Sequence, residues 1–100
     1  MGIINIVKNV KKIHNNYVVL IKVGNFYYCY GRDTYIISYL FKYKINIMKN
    51  NIYSCAFSQN AINKVMAKLE NSKINYLIFV NDKIRMYKKW NLTMYKNVQR

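Results

Sequence analysis

Proline is missing from this 100-residue chain, and glycine occurs only three times. A linker or low-complexity stretch is hard to build from that composition, so one domain over residues 1–100 is expected. Acid is almost as scarce. Asp33, Glu70 and Asp82 stand against 17 Lys and Arg, a formal net charge of +14. General acid–base catalysis wants titratable groups gathered in one place. Here one carboxylate falls at an expected helix start, one at a helix end and one in a turn, which suits surface or capping roles. His14 is the one histidine, and it sits in a basic stretch. Two cysteines and one histidine fall short of a structural zinc site, so no metal is expected. Cys29 and Cys55 lie in separate apolar runs and read as buried, reduced thiols. There is no phosphate-binding loop, no nucleophile elbow and no glycine-rich dinucleotide turn. The expectation is therefore no enzyme and no cofactor. No run approaches the ~20 apolar residues that span a bilayer. The first residues also lack the charge, apolar run and cleavage site of a signal peptide. No membrane partner is expected, and the cytoplasm is the default location.

What remains is apolar, aromatic and basic. At 53% hydrophobic, the chain has the material for one modest core. Its centre is Tyr17 to Tyr30: a β-branched strand, a Gly24-Asn25 turn and an aromatic strand. Alternate rings of the second strand go to opposite faces, so Phe26 and Tyr28 share one. Before it, Ile3, Ile6, Val7, Val10 and Ile13 fall at helical spacing over residues 3–14. After it, Asp33 reads as an N-cap or first-turn acid of a helix carrying Ile36, Ile37, Leu40 and Phe41. Lys44 to Ile47 is expected as a short strand, 49–51 as a turn and Ile52 to Phe57 as a strand. Ser58 reads as the N-cap of a helix with Ile62, Val65, Met66 and Leu69 at i, i+3, i+4 and i+7. Tyr76 to Val80 and Ile84 to Tyr87 read as paired strands, with a further edge strand at 90–95 and a fraying end. The fold class expected is mixed α/β (α+β): a mixed β-sheet flanked by about three helices.

The charge balance points to a partner. AT-rich coding inflates Lys, Asn, Ile and Tyr but does not deplete acid, so the shortage of carboxylates is the informative half. A field of this sign attracts polyanions. Basic residues recur from Lys8 to Lys89, interleaved with rings at Phe26, Tyr28, Tyr30, Tyr35, Tyr39, Tyr43, Tyr87 and Trp90. Cations neutralise phosphates, and rings stack on bases or wedge between them. The same tyrosines also suit half-buried strand positions, so each ring has a structural reading beside the functional one.

At Val18-Val19-Leu20-Ile21-Lys22-Val23-Gly24-Asn25-Phe26-Tyr27-Tyr28 the chain resembles the N-terminal, mismatch-recognition domain of the MutS family. That domain carries a hydrophobic strand, Arg, an apolar residue, then Gly-Asp-Phe-Tyr-Glu and an acidic helix start, here matched by Asp33. A second landmark of the family is a Gly-x-Pro-Tyr-His strand end running into a helix that closes on an apolar-x-Lys-Leu pattern. Ala56-Phe57-Ser58-Gln59-Asn60, leading into Met66-Ala67-Lys68-Leu69, stands in its place. The similarity covers about 3–81 and leaves 82–100 unassigned. In the family the motif Phe stacks on a mispaired base from the minor groove, and the Glu two residues on contacts the same base. The resemblance thus implies that Phe26 is the stacking ring. Tyr28 replaces the Glu and Asn25 the Asp.

The resulting expectation is a stand-alone, non-catalytic DNA-binding domain, with mismatch readout altered by Tyr28. Phe26 and Tyr28 would meet bases, while Lys22, Arg32, Lys11 and Lys12 would meet phosphates. Duplex DNA is the expected partner, and single-stranded RNA a third reading. The rival is a protein-interaction module that kept the fold and pairs through an exposed strand edge, as a homodimer or with another protein.

Overall fold

The computed structural model describes residues 3–13, 15–80 and 83–87, the last segment by its backbone. His14, Asp82, Lys88, Lys89, Trp90 and the expected strand at 90–95 lie outside the described residues. Among the described residues, three α-helices, α1 (Ile3–Ile13), α2 (Asp33–Phe41) and α3 (Ile62–Asn71), accompany six strands. The strands are β1 (Val18–Val23), β2 (Phe26–Tyr30), β3 (Asn46–Ile47), β4 (Tyr53–Ser58), β5 (Tyr76–Val80) and β6 (Lys83–Tyr87). They form one mixed sheet in the order β3-β4-β2-β1-β5-β6. β1 and β5 run parallel, with Val18 beside Tyr76 and Ile21 beside Phe79. The other neighbours are antiparallel. The α+β expectation holds.

The β1–β2 hairpin forms where the sequence placed it. Gly24 takes φ +60, a value that costs a residue without Cβ nothing. It is the first of the two turn residues, where one kind of primed hairpin places glycine. Alternation then divides the strands between two faces. Val18, Leu20, Tyr27, Cys29, Cys55, Phe57, Tyr76 and Ile78 turn to the face covered by α2 and α3. There they pack with Ile37, Val65 and Leu69 into the main core. Val19, Ile21, Tyr30 and Leu77 turn to the other face, where α1 brings Val7 and Val10 against them. The helical spacing of α3 is borne out, with Val65 and Leu69 buried and Lys64 and Lys68 exposed.

Three local expectations are corrected. Ile13 does not join the buried face of α1 and is 77% exposed. The last turn of α1 is held instead by Lys11, whose ammonium donates to Tyr17 O at 2.6 Å. Asp33 is the first-turn acid of α2, one of its two expected roles, but its side chain does not cap the helix. Its carboxylate takes the Lys11 ammonium at 3.0 and 3.3 Å and the Val19 N–H at 3.0 Å. It is 2% exposed, so one buried ion pair ties α1, β1 and α2 together. Ser58 does cap, but it caps the 3-10 turn Gln59–Ala61 that precedes α3. Its hydroxyl accepts from Asn60 N–H at 3.2 Å.

Candidate nucleic-acid interface

The six residues expected at the interface divide between the two ends of β2. Phe26 and Lys22 stand at the hairpin end, and Tyr28 follows one pleat further in. Arg32, Lys11 and Lys12 stand at the other end, beyond Tyr30. Phe26 to Tyr30 spans roughly 13 Å at ~3.3 Å per residue.

At the hairpin end, Phe26 is 48% exposed and its cross-strand neighbour Val23 is 42% exposed. Two large apolar side chains therefore lie side by side in solvent, on the face that α1 covers only further along. Tyr28 shares the face but is half-buried. It stacks on Tyr30, with ring centroids 6.3 Å apart and planes 12° apart, and packs against the α1 cluster. The aromatic pair thus splits into a free ring and a supporting one. Lys22 follows the alternation onto the opposite face, beside Tyr27 in register, and its ammonium folds back to Gly24 O at 2.7 Å. The hairpin is not isolated. Phe26 pairs with Ser58 across β2 and β4. Gln59 N–H donates to Asn25 O at 2.9 Å, and the Gln59 amide reaches Asn25 Oδ1 at 3.4 Å. Segments 24–28 and 56–60, distant in sequence, are joined at one sheet end.

At the other end, the cations differ in availability. Lys11 is committed to Asp33 and the Tyr17 carbonyl. Lys12 is exposed. Arg32 is exposed too, and its guanidinium donates to Asn15 O at 3.2 Å. These residues line a cleft between α1 and the β2–α2 corner, with a volume of about 990 Å³. Lys8, Tyr30, Tyr35 and Tyr53 line it as well, and sequence reasoning did not gather them. A partial signal existed, because Lys8, Lys11 and Lys12 share one side of a helix at i, i+3 and i+4. Nothing in the spacing could add Tyr53, which arrives on β4. Tyr30 and Tyr35 both have hydroxyl pKa values pushed up. Burial is the main cause for Tyr30 and desolvation beside Tyr53 for Tyr35. Both phenols therefore stay neutral and cancel none of the positive charge.

Among the described residues, no three His, Cys, Asp or Glu side chains gather as a metal site. No described helix is long and apolar enough to cross a membrane.

Mixed strands, helices on both faces and a hairpin end clasped to the end of β4 define a small α+β domain that presents a surface. The chain belongs to the MutS domain I family, whose model matches residues 1–96. The match runs past the 3–81 that the motifs covered. MutS domain I is a non-catalytic recognition domain. A search of curated proteins returned no match.

Proposed function

We propose that this protein binds duplex DNA through the hairpin end of its sheet, with Phe26 as the ring that meets bases from the minor groove. One observation carries the reading: the family's stacking ring is retained at Phe26 and stands half in solvent on a chain of net charge +14. A ring already exposed stacks without first unpacking a core, and surrounding cations release counterions from phosphates. Tyr28 takes a supporting role. It underpins the hairpin by stacking on Tyr30 and offers no carboxylate to a base. Discrimination of mismatched from matched duplex is accordingly weak, while general duplex affinity is retained. Lys22, at the hairpin end, and Arg32, at the far end of β2, meet phosphates further along the duplex backbone. Lys12 joins them, whereas Lys11 holds the scaffold through Asp33.

Fluorescence anisotropy with matched and mismatched duplexes across a salt series tests this. The expected result is an affinity that falls with salt, with a log–log slope of about −0.9 per phosphate neutralised. Phe26→Ala should lower duplex affinity several-fold. Absence of binding at low salt, or binding indifferent to salt, overturns the proposal.

One observation favours a second reading. β3 pairs with β4 only at Tyr53 and Ser54, so the outer edge of β4 from Cys55 onward has no strand against it among the described residues. Such an edge accepts an added strand from a protein partner or a second copy. Light scattering that shows a tight dimer, together with no duplex binding, would establish this alternative.

A further inference from the structure

We infer that the cleft between α1 and the β2–α2 corner is a second site, which takes an unpaired nucleotide of a single-stranded nucleic acid. It stands at the opposite end of β2 from Phe26 and does not depend on the duplex reading.

The chemistry of the walls sets the ligand class. Ile4, Val7 and Ile52 supply apolar lining, and Tyr35 with Tyr53 supplies two rings at right angles, 5.7 Å apart at their centroids. Tyr35 is 53% exposed, so a base can lie on it without displacing a packed group. A base on the Tyr35 face meets the neighbouring ring edge-on, an arrangement favoured by the aromatic quadrupole. Purely apolar walls would fit any greasy ligand. The rim excludes that, because Lys8, Lys12 and Arg32 stand around the same opening. Rings for bases beside cations for a backbone are the two parts of a single-strand binding groove.

Among the described residues, no carboxylate compensates the charge on the rim. Asp33, the nearby carboxylate, is buried against Lys11 and the Val19 N–H. Glu70 belongs to α3, on the other face of the sheet, and accepts from the Tyr76 hydroxyl. Across the opening, Asn50 and Asn51 both adopt left-handed backbone, with φ of 66° and 58°. They set two neutral amides at the edge of the cleft, groups that donate to and accept from base edges. The size fits as well. About 990 Å³ suits a small ligand or one extruded nucleotide, but a paired duplex cannot enter.

The test uses the full chain and a fluorescein-labelled oligothymidylate, read by anisotropy beside a matched duplex. Tyr35→Ala should weaken oligothymidylate binding by about 5–160-fold, the range of one lost base stack. The double variant Lys12→Gln/Arg32→Gln should flatten the log–log salt slope by roughly 1.4, at about 0.7 per cation for single strands. Tyr35→Ala should leave the duplex constant within about two-fold, and Phe26→Ala should do the reverse, weakening the duplex and sparing oligothymidylate. All replaced side chains are exposed, and thermal melts confirm that the variants fold. If the duplex fails to bind while the oligothymidylate responds as described, this site stands and the Phe26 reading falls. The inference is overturned if Tyr35→Ala binds oligothymidylate like the native chain. It is equally overturned if Tyr35→Ala and Phe26→Ala weaken both probes in parallel, since one shared surface would then account for all binding.

Discussion

One face of the sheet lies under two helices and the other under one. Beneath α2 and α3, the strands bury Leu20, Cys29, Cys55 and Tyr76 completely, and both helices contribute fully buried residues, Ile37 and Leu69 among them. Beneath α1, burial is good around Val7, Val10 and Val19 but stops short of the hairpin, where Val23 and Phe26 remain in solvent. The doubly covered face is where volume and shape decide what a side chain can be. The singly covered face leaves side chains whose removal costs the fold little, and those are the groups free to meet a partner. Stability and recognition are thereby assigned to different sides of the same strands, and substitutions can separate them.

The largest effect is expected where the two faces are tied together. Asp33→Ala leaves the Lys11 ammonium without its buried counter-ion and the Val19 N–H without its acceptor. Breaking one side of such a pair costs about 3–5 kcal/mol. Urea unfolding should show it as a lowered midpoint. Lys11→Met combined with Asp33→Ala should recover part of the loss, because no lone charge then remains. A double variant no better than Asp33→Ala alone would mean that the Val19 contact, rather than the ion pair, does the tying.

Next comes the contrast between the faces themselves. Leu69→Ala opens a cavity in the doubly covered core and should cost about 2–5 kcal/mol. Val10→Ala, under the single helix, removes two carbons at ~0.8 kcal/mol each, so about 1–2 kcal/mol is expected. Equal losses in a urea titration would break the comparison.

A smaller effect concerns the thiols. Cys29 and Cys55 face each other across β2 and β4, both fully buried and both free. Hydrogen bonding to Cys55, then burial, pushes the Cys29 thiol far above its ordinary range near 9. The folded chain therefore keeps a proton that the unfolded chain releases. The resulting stability is fully present below the ordinary thiol range and shrinks as pH rises past it, by at most about 1.4 kcal/mol per pH unit. Cys29→Ala should flatten the alkaline limb of a stability–pH curve. A thiol reagent should label the native protein only at its unfolding rate.

Much of this architecture was legible because its signals are local. The i, i+3, i+4, i+7 series of α3 and the Gly24-Asn25 break between two strands need no distant partner to be read. That Phe26 and Tyr28 share a face was also legible from alternation, but which of the two stands in solvent was not. What spacing does not show is where α1 ends over the sheet, and this makes Phe26 free and Tyr28 a support. Of the two roles read for Asp33, the first-turn acid holds and the cap fails for the same reason. Its helix-start position is local, but its partner Lys11 lies 22 residues upstream. The cleft was the least legible feature, because Lys8, Tyr30, Tyr35 and Tyr53 come from α1, β2, α2 and β4. Only the strand order brings those elements to one corner.

The smallest expected change in stability belongs to the residue on which the duplex reading turns. Phe26 sits at the first position of β2, beside an exposed Val23 and opposite an exposed Ser58. Truncating it removes ring area that was half in water already, so Phe26→Ala should shift stability by only about 0.5 kcal/mol, as at an ordinary surface site. Duplex affinity should fall much further in proportion, because a stacked base loses its platform. That ratio, little change in unfolding against a clear change in binding, is what distinguishes a contact residue from a packing residue. Tyr28→Ala should give the opposite ratio. Its ring leans on Tyr30 and the α1 cluster, so its loss should show in the urea midpoint and reach the duplex only through a loosened hairpin. Should Phe26→Ala destabilise as much as Tyr28→Ala, the hairpin end would be an extension of the core, and the division between the faces would fail at the place where recognition is assigned to it.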